Sequence, residues 1–388
     1  MPTMPPARSP AEGPDVAPDV APDVVVVALS ARALAAAARR AGRRPAAIDL
    51  FADQDTRQLA EPCVRLPSAT LRLDAAALLD ALAKPELRGL PLAYGAGFED
   101  DPSLLARIAE DRPLLGNGAE VVARVKDPFR FAETLDRLCI PHPPVAQSFD
   151  GQTSDCLLKR IGGSGGGHIT AGSTGAARPG WYVQRRIAGH AVSVLFLADG
   201  RRAVIVGLSR QWSSPTADSP YRYGGAAGPW RCPKRIAQPL ADMMNRLAAA
   251  FGLVGLNSAD FILNGQGFHL LEINPRPGAT LDVFDRPPMP PLFALHLEAC
   301  AGRLPDRLPA LPDCRAAEVV YADGPAQIGV DLRWPAWTAD RPVTPAALAA
   351  GQPICTVLAD GAGIRAARHH AERRRRQLAA SAMMELQA

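Results

Sequence analysis

The most constraining stretch of this chain runs from Ser258 to Gly278 and reads SADFILNGQGFHLLEINPRPG. Two apolar runs flank NGQG, a pattern that folds back on itself as an antiparallel hairpin. Yet Asp260, Glu272 and Asn274 stand among Phe261, Ile262, Leu270, Leu271 and Ile273. Polar groups in a half-buried strand pair are costly unless something satisfies them. Glu272 and Asn274 are two apart, so they share one face of their strand. A three-residue loop of Gly265, Gln266 and Gly267 would set Asp260 opposite Glu272 on that face. A two-residue loop would turn Asp260 away. Two carboxylates and an amide are hard oxygen donors that suit Mg²⁺, which keeps several waters and borrows ligands from phosphate. An exposed hairpin with alternating polar residues is the bland alternative, and it explains the apolar neighbours poorly. Arg276, between Pro275 and Pro277 just past the strand, is placed to meet a phosphate or a substrate carboxylate.

A second constellation lies upstream, where Lys159 and Arg160 lead into GGSGGGH (162–168). A loop so rich in glycine can close over phosphate oxygens and offer them backbone N–H groups without Cβ clashes. The lysine before it supplies a point charge. No GxxxxGK[ST] is present, so this is not a Walker loop, and a flexible linker remains the alternative. Lysine is scarce: of 43 basic residues only Lys84, Lys126, Lys159 and Lys234 are lysines. A compact ammonium does work that a planar guanidinium cannot, so each is informative.

The rest of the chain gives the organisation. Residues 1–23 carry a threefold PDV repeat with little to bury and read as a disordered leader. VVVVAL (24–29), a helix over ARALAAAARRA capped by Ser30, AAIDLF (46–51), the helix DAAALLDALAK and GLPLAYG predict a parallel α/β sheet. The first turn, LSARAL, lacks the GxGxxG of a dinucleotide fold. From about residue 118 helices lead through PHPPV to hairpin-like strands at 156–160, 181–186, 191–200 and 203–209. A helix over 235–251, the hairpin above, a strand-rich part over 315–360 and a basic helix follow.

Composition limits the alternatives. At 388 residues, 47% hydrophobic and 21% charged, the chain reads as two or three globular domains. No apolar run reaches membrane-span length, and the first residues, with Pro, Arg and Asp in place of a charged cap and an apolar run, do not read as a secretory signal. Seven dispersed cysteines without a CxxC pair argue against disulfides and zinc and for a reducing cytoplasm. A net charge of +4 does not indicate nucleic acid. The tail RHHAERRRRQ reads as a solvated amphipathic helix before it reads as an RNA or acidic-partner contact.

Lys159 with its glycine loop, VQRRIAG, GLNSADFI and LLEINPRPGA, in this order and spacing, resemble the ATP-grasp superfamily over roughly residues 115–300. The resemblance implies a pre-ATP-grasp parallel α/β domain (24–117), then an ATP-grasp domain with antiparallel sheets (118–302, lid about 145–210). A small β-rich domain with a C-terminal helix (303–388) completes the chain. It implies ATP and Mg²⁺, with Mn²⁺ as a substitute. Lys126 and Lys159 match phosphate-contacting lysines. Gly162, Gly163, Ser164, Gly165, Gly166, Gly167 and His168 match the phosphate lid. Gln184, Arg185, Arg186 and Ile187 match the adenine linker. Asp260, Glu272 and Asn274 match the metal ligands, and Arg276 a catalytic residue near the transferred phosphoryl group, with Lys159 beside it.

One departure stands out: Gly189, His190 and Ala191 replace the GxE that many members use to hold ribose. SARALAAAARRAG, GFED, LLGN and the closing WPAWTADRP…PICTV resemble a branch linked to methanofuran- and tetrahydromethanopterin-type one-carbon cofactors, related to tyramine–glutamate ligase. The implied activity is an ATP-dependent carboxylate–amine ligase that works through an acyl phosphate in the cytoplasm. Its partners would be a small carboxylate and an amine, without nucleic acid or membrane, and at most a second copy of itself as a homodimer. Carboxylation through carboxyphosphate and a non-catalytic ATP sensor are the competing readings. Trp212, Tyr221, Tyr223 and Trp230 form either a substrate wall or ordinary packing.

Overall fold

The uninterrupted valines Val24–Val27 are buried on both faces and sit at the centre of a parallel sheet. In the computed structural model, which describes residues 21–68, 70–148, 155–172 and 177–385, that sheet has five strands. Their order is Cys63–Arg65, Pro45–Asp49, Val24–Val27, Leu92–Tyr94, Leu114–Leu115. The sequence shows only three of them: the two edge strands are three and two residues long and, unlike the equally short but buried Leu92–Tyr94, are partly exposed. The expected leader over 1–23 lies almost wholly outside the described residues. Ser30 does not cap the first helix. Arg32–Arg40 starts after Ala31, whose N–H donates to Asp49 Oδ2 at 2.8 Å, so the next strand supplies the cap.

The helical region over 119–138 divides into Ala119–Lys126 and Pro128–Arg137. Asp127 breaks it by accepting from the N–H groups of Phe129 and Arg130, with Pro128 in the first turn where no donor is missed. Four antiparallel strands then form a small sheet in the order Val145–Ala146, Trp181–Arg185, Cys156–Arg160, Ile169–Ala171.

The largest sheet has eight strands, ordered Gly267–Asn274, Val254–Asn264, His190–Asp199, Ala203–Ser213, Tyr223–Gly228, Cys314–Tyr321, Pro353–Gly361, Thr338–Ala339. The C-terminal strands therefore extend the sheet that holds the hairpin. One face packs Val192, Val194, Phe196 and Phe261 against Leu240, Met244 and Phe251 of the helix Lys234–Phe251. Gly252, at φ +69°, ends that helix in a left-handed cap. Leu195, Leu197 and Leu256 face the opposite way, into a core shared with Leu34 and Ala38 of the first helix and with Leu292 and Phe293. The last helix, Ile364–Glu385, buries Ala367, Ala371 and Leu378 against Ala316, Val357 and Ala359. All seven cysteines are free thiols. Among the described residues no helix is long and apolar enough to cross a membrane.

Candidate active site

The hairpin reaches its polar register by an unexpected route. Asn264 pairs with Gly267, so the turn holds two residues and not three. That register would carry Asp260 to the other face. A β-bulge between Asp260 and Phe261 corrects it: Phe261 opposes Leu270, Leu271 is the extra residue, and Asp260 opposes Glu272. The shared face thus survives although the loop length assumed for it is wrong.

The row continues across the sheet. Asp260 opposes Ser193 on its other side, and Ser193 opposes Ser209, so four strands place Glu272, Asp260, Ser193 and Ser209 in one line. Asn274 Nδ2 donates to Asp260 Oδ2 at 3.1 Å and Gln211 Nε2 to Asp260 Oδ1 at 3.3 Å. Asn274 turns its oxygen to cations instead, accepting from Lys126 Nζ at 2.8 Å and Arg276 at 3.4 Å. Lys126 also lies 3.2 Å from Glu272 Oε2.

The two carboxylates are electrostatically unequal. Burial and the neighbouring Glu272 push the Asp260 carboxyl up. Burial also acts against charge on Glu272, but Lys126, Lys159 and His168 outweigh it and hold the carboxyl down to about 2. Two acids and an amide oxygen on one face, ringed by ammonium groups, form a hard-oxygen set that fits a divalent cation with phosphate ligands. Among the described residues no group of three or more His, Cys, Asp or Glu could hold a metal, so such a cation would depend on the amide and on its own phosphate and water ligands.

The small sheet faces this row. Lys159 is 4% exposed, pairs with Tyr182 in register and donates to Gln184 Oε1 at 3.3 Å. Burial opposes its charge, but Tyr182 and Glu272 outweigh that, and its pKa is raised. A cleft between the sheets is lined by Phe131, Leu135, Val145, Tyr182, Gln184 and Leu271, with Lys126 and Glu272 at its polar end. Gly162, Gly163 and His168 also reach it. His168 Nδ1 is 3.2 Å from the Ser164 carbonyl, and burial lowers its pKa to about 4.

The rest of the glycine loop turns to other neighbours. Gly165 accepts from Tyr223 N–H at 3.0 Å, and a Cβ on Gly166 would strike the Tyr221 carbonyl at 1.9 Å. Gly162, at φ +70°, packs so closely on Glu99 and Asp100 that a Cβ would lie 2.5 Å from the Glu99 carbonyl. Gly167 has only Ser219 near its Cβ position. In the linker, Gln184 lines the cleft, Ile187 is half-buried, and Arg185 and Arg186 are exposed. Backbone N–H groups of Arg185 and Arg186 donate to Pro144 and Asp155. His190 is exposed at the start of its strand.

Sequence reasoning missed two residues that hold the site together. Glu99 binds Arg276, with Nε to Oε1 at 2.8 Å and both side chains buried. Asn117 donates to Asn257 Oδ1 and the Pro275 carbonyl while accepting from Val254 N–H, which fixes the strand end before Arg276. Their only signals were the first of two adjacent acids in GFED and a lone amide in LLGN.

Comparison with known proteins agrees with this architecture. Residues 125–280 match the model of the ATP-grasp domain family. The biotin carboxylase domain dimer of Hydrogenobacter thermophilus 2-oxoglutarate carboxylase, solved with MgADP, ADP and bicarbonate, superposes with a TM-score of 0.67. It is 13% identical and the match covers 89% of this chain and 87% of that one. N5-carboxyaminoimidazole ribonucleotide synthetase from Thermotoga maritima gives 0.63 at 14% identity, covering 92% and 98%. Phosphoribosylamine–glycine ligase from the same organism gives 0.64 at 16%, covering 90% and 95%. The chain, with its parallel sheet, small antiparallel sheet and large antiparallel sheet, has the ATP-grasp fold.

Proposed function

We propose that this protein is an ATP-dependent carboxylate–amine ligase that activates a carboxylate as an acyl phosphate and releases ADP and phosphate. The observation that carries the reading is the convergence of Lys126, Lys159, Glu272, Asp260 and Asn274 on one face beside an apolar cleft. The cleft takes the adenine, with Gln184 at its edge. Lys126 and Lys159 hold phosphate oxygens, and Gly162, Gly163 and His168 cover them. Glu272, Asp260 and Asn274 would hold Mg²⁺, which offsets charge on the transferring phosphoryl group. Arg276, locked by Glu99, steers the substrate carboxylate toward in-line attack. The amine then captures the acyl phosphate in a space closed by the lid.

The domain limits that go with this reading are 24–117, 118–302 and 303–388. The methanofuran-linked resemblance makes glutamate and a tyramine-type amine the first substrates to try. A second reading, attack by bicarbonate, is favoured by the similarity to biotin carboxylase domains, one of them solved with bicarbonate. Following ADP with carboxylate panels, with and without amines, against bicarbonate alone separates the two. ADP formation driven by bicarbonate alone would replace the ligase reading.

A further inference from the structure

Gln211 reaches Asp260 in the reaction row, and its strand neighbour Trp212 points to the opposite face of the large sheet. There Trp212 packs against the cluster of Ala316, Val320, Ala367 and Ala371, beside the last helix. A cavity of about 350 Å³ opens next to it, walled by the strands Ala203–Ser213 and Cys314–Tyr321 and by that helix. The strand between them contributes glycine: Trp212 opposes Gly225, which in turn opposes Glu318. A Cβ on Gly225, at φ +155°, would lie 2.6 Å from the indole, and one on Gly224 would lie 3.0 Å from it. Bare backbone at these two positions lets the indole close down on the strand and leaves that part of the cavity wall without side chains.

Two guanidinium groups line the cavity, each held over an aromatic ring. Arg222 lies 3.7 Å from the Tyr321 ring centroid and Arg368 4.7 Å from that of Trp212. Stacking fixes the plane of a guanidinium and leaves its N–H edge for an oxyanion. Arg222 donates only to neutral oxygens, the Ser214 carbonyl at 2.9 Å, the Ser214 hydroxyl at 3.2 Å and the Gly351 carbonyl at 3.2 Å. Arg368 makes no hydrogen bond or salt bridge among the described residues. The acids of the cavity are engaged elsewhere. Glu318 pairs with Arg375 at 3.2 Å, with Arg368 a more distant charge, and Glu372 pairs with Arg376 at 2.5 Å. Asp323 is exposed. Two stacked guanidinium groups without a carboxylate of their own, in a cavity of small-molecule size, suit an oxyanion that their planar edges meet in pairs of hydrogen bonds.

The same wall carries the glycine loop. A Cβ on Gly166 would strike the carbonyl of Tyr221, and Tyr223 N–H donates to the Gly165 carbonyl at 3.0 Å. Arg222, between these two tyrosines, is tied to Ser214, whose N–H donates to the Arg222 carbonyl at 2.8 Å. The Tyr321 hydroxyl donates to the Tyr223 carbonyl at 2.7 Å. The two residues that form one stacked pair in the cavity therefore also hold the segment on which the loop rests.

We propose that this cavity is an effector site for a small anion bearing carboxylate or phosphate oxygens, and that its occupation steadies residues 162–168. Neither arginine touches the reaction row, so the site stands whatever reaction that row performs. The test is calorimetric titration of the full chain, without nucleotide, using succinate and inorganic phosphate, with succinamide as the neutral counterpart. At least one of the two anions binds saturably, and which one does identifies the oxygen group the site takes. Succinamide does not bind. Arg368→Gln, a change at an exposed helix position, weakens the bound anion at least ~10-fold.

Two further measurements locate the anion and its effect. In phenylglyoxal labelling of the wild-type protein followed by peptide mapping, the bound anion shields Arg368 and Arg222, while the exposed Arg201 reacts as before. Hydrogen exchange over 162–168 slows when the anion is added to wild-type protein and does not slow in Arg368→Gln. Absence of binding by both anions, or labelling of Arg368 that the anion leaves unchanged, would overturn the site. Equal binding by Arg368→Gln would place the anion at Lys126 and Lys159 and overturn it too. Exchange over 162–168 that ignores an anion bound at Arg368 would overturn the effector role.

Discussion

Arg276 and Glu99, 177 positions apart in sequence, are joined by a 2.8 Å bond between side chains only 10% and 3% exposed. Glu99 also accepts from Gly97 N–H at 2.7 Å. Burial works against its charge, but Arg276 and Lys126 prevail and hold the carboxyl below its usual range. Glu99→Ala would strand a buried guanidinium, at a cost of about 3 kcal/mol. We expect a matching drop in the urea midpoint and, because Arg276 shifts, a loss of ADP release on the order of 100-fold. A variant with wild-type midpoint and rate would show that the pair positions nothing.

Glu272→Ala and Asn274→Ala should bring ATP cleavage below detection while the unfolding temperature changes little. The hairpin keeps its apolar face, Phe261, Leu270 and Ile273, whichever polar side chain is lost. Cleavage at the wild-type rate by folded Glu272→Ala protein would remove the metal assignment.

Lys159→Arg keeps the charge but not its shape. The ammonium sits 4% exposed between Gln184 and the Tyr182 ring, 5.8 Å from the ring centroid, a space that a planar guanidinium does not fit. ATP affinity should fall at least tenfold by calorimetry. An unchanged dissociation constant with an unchanged rate would make Lys159 structural.

His296 gives a pH dependence with a definite sign. Its Nδ1 accepts from Leu256 N–H at 2.8 Å, and Nε2 lies 3.1 Å from the Leu115 carbonyl, an arrangement that requires the neutral ring. Burial lowers its pKa from 6.5 to about 4. The unfolded chain therefore binds this proton more readily, so the contribution is complete above pH 6.5 and is lost as pH falls from there toward 4. Its size is about 3 kcal/mol. An NMR titration should find the folded ring neutral down to about pH 4. A midpoint near 6.5 would contradict the assignment.

The hairpin shows how far the sequence could be read. The alternation of Glu272 and Asn274 identified their common face, because side chains in a strand obey a period of two. The turn length did not follow from NGQG. Two glycines around one glutamine permit two loops, and the compensating bulge at Leu271 depends on contacts with the rest of the sheet. Glu99 and Asn117 went unread for a related reason. Each acts through a partner more than a dozen residues away, and no local pattern marks a residue whose role is set by distant pairing. Ser30 was misassigned in the same way, since the cap came from Asp49 on the neighbouring strand.

The most direct test follows nucleotide products while purified protein and Mg-ATP are incubated with carboxylates, glutamate first, with and without amines. The ligase account predicts ADP and phosphate, no AMP, a strict need for magnesium, and faster ADP release when both partners are present. Hydroxylamine in place of the amine should yield a hydroxamate of the activated carboxylate. AMP as product, or no ADP under any mixture, would contradict the account.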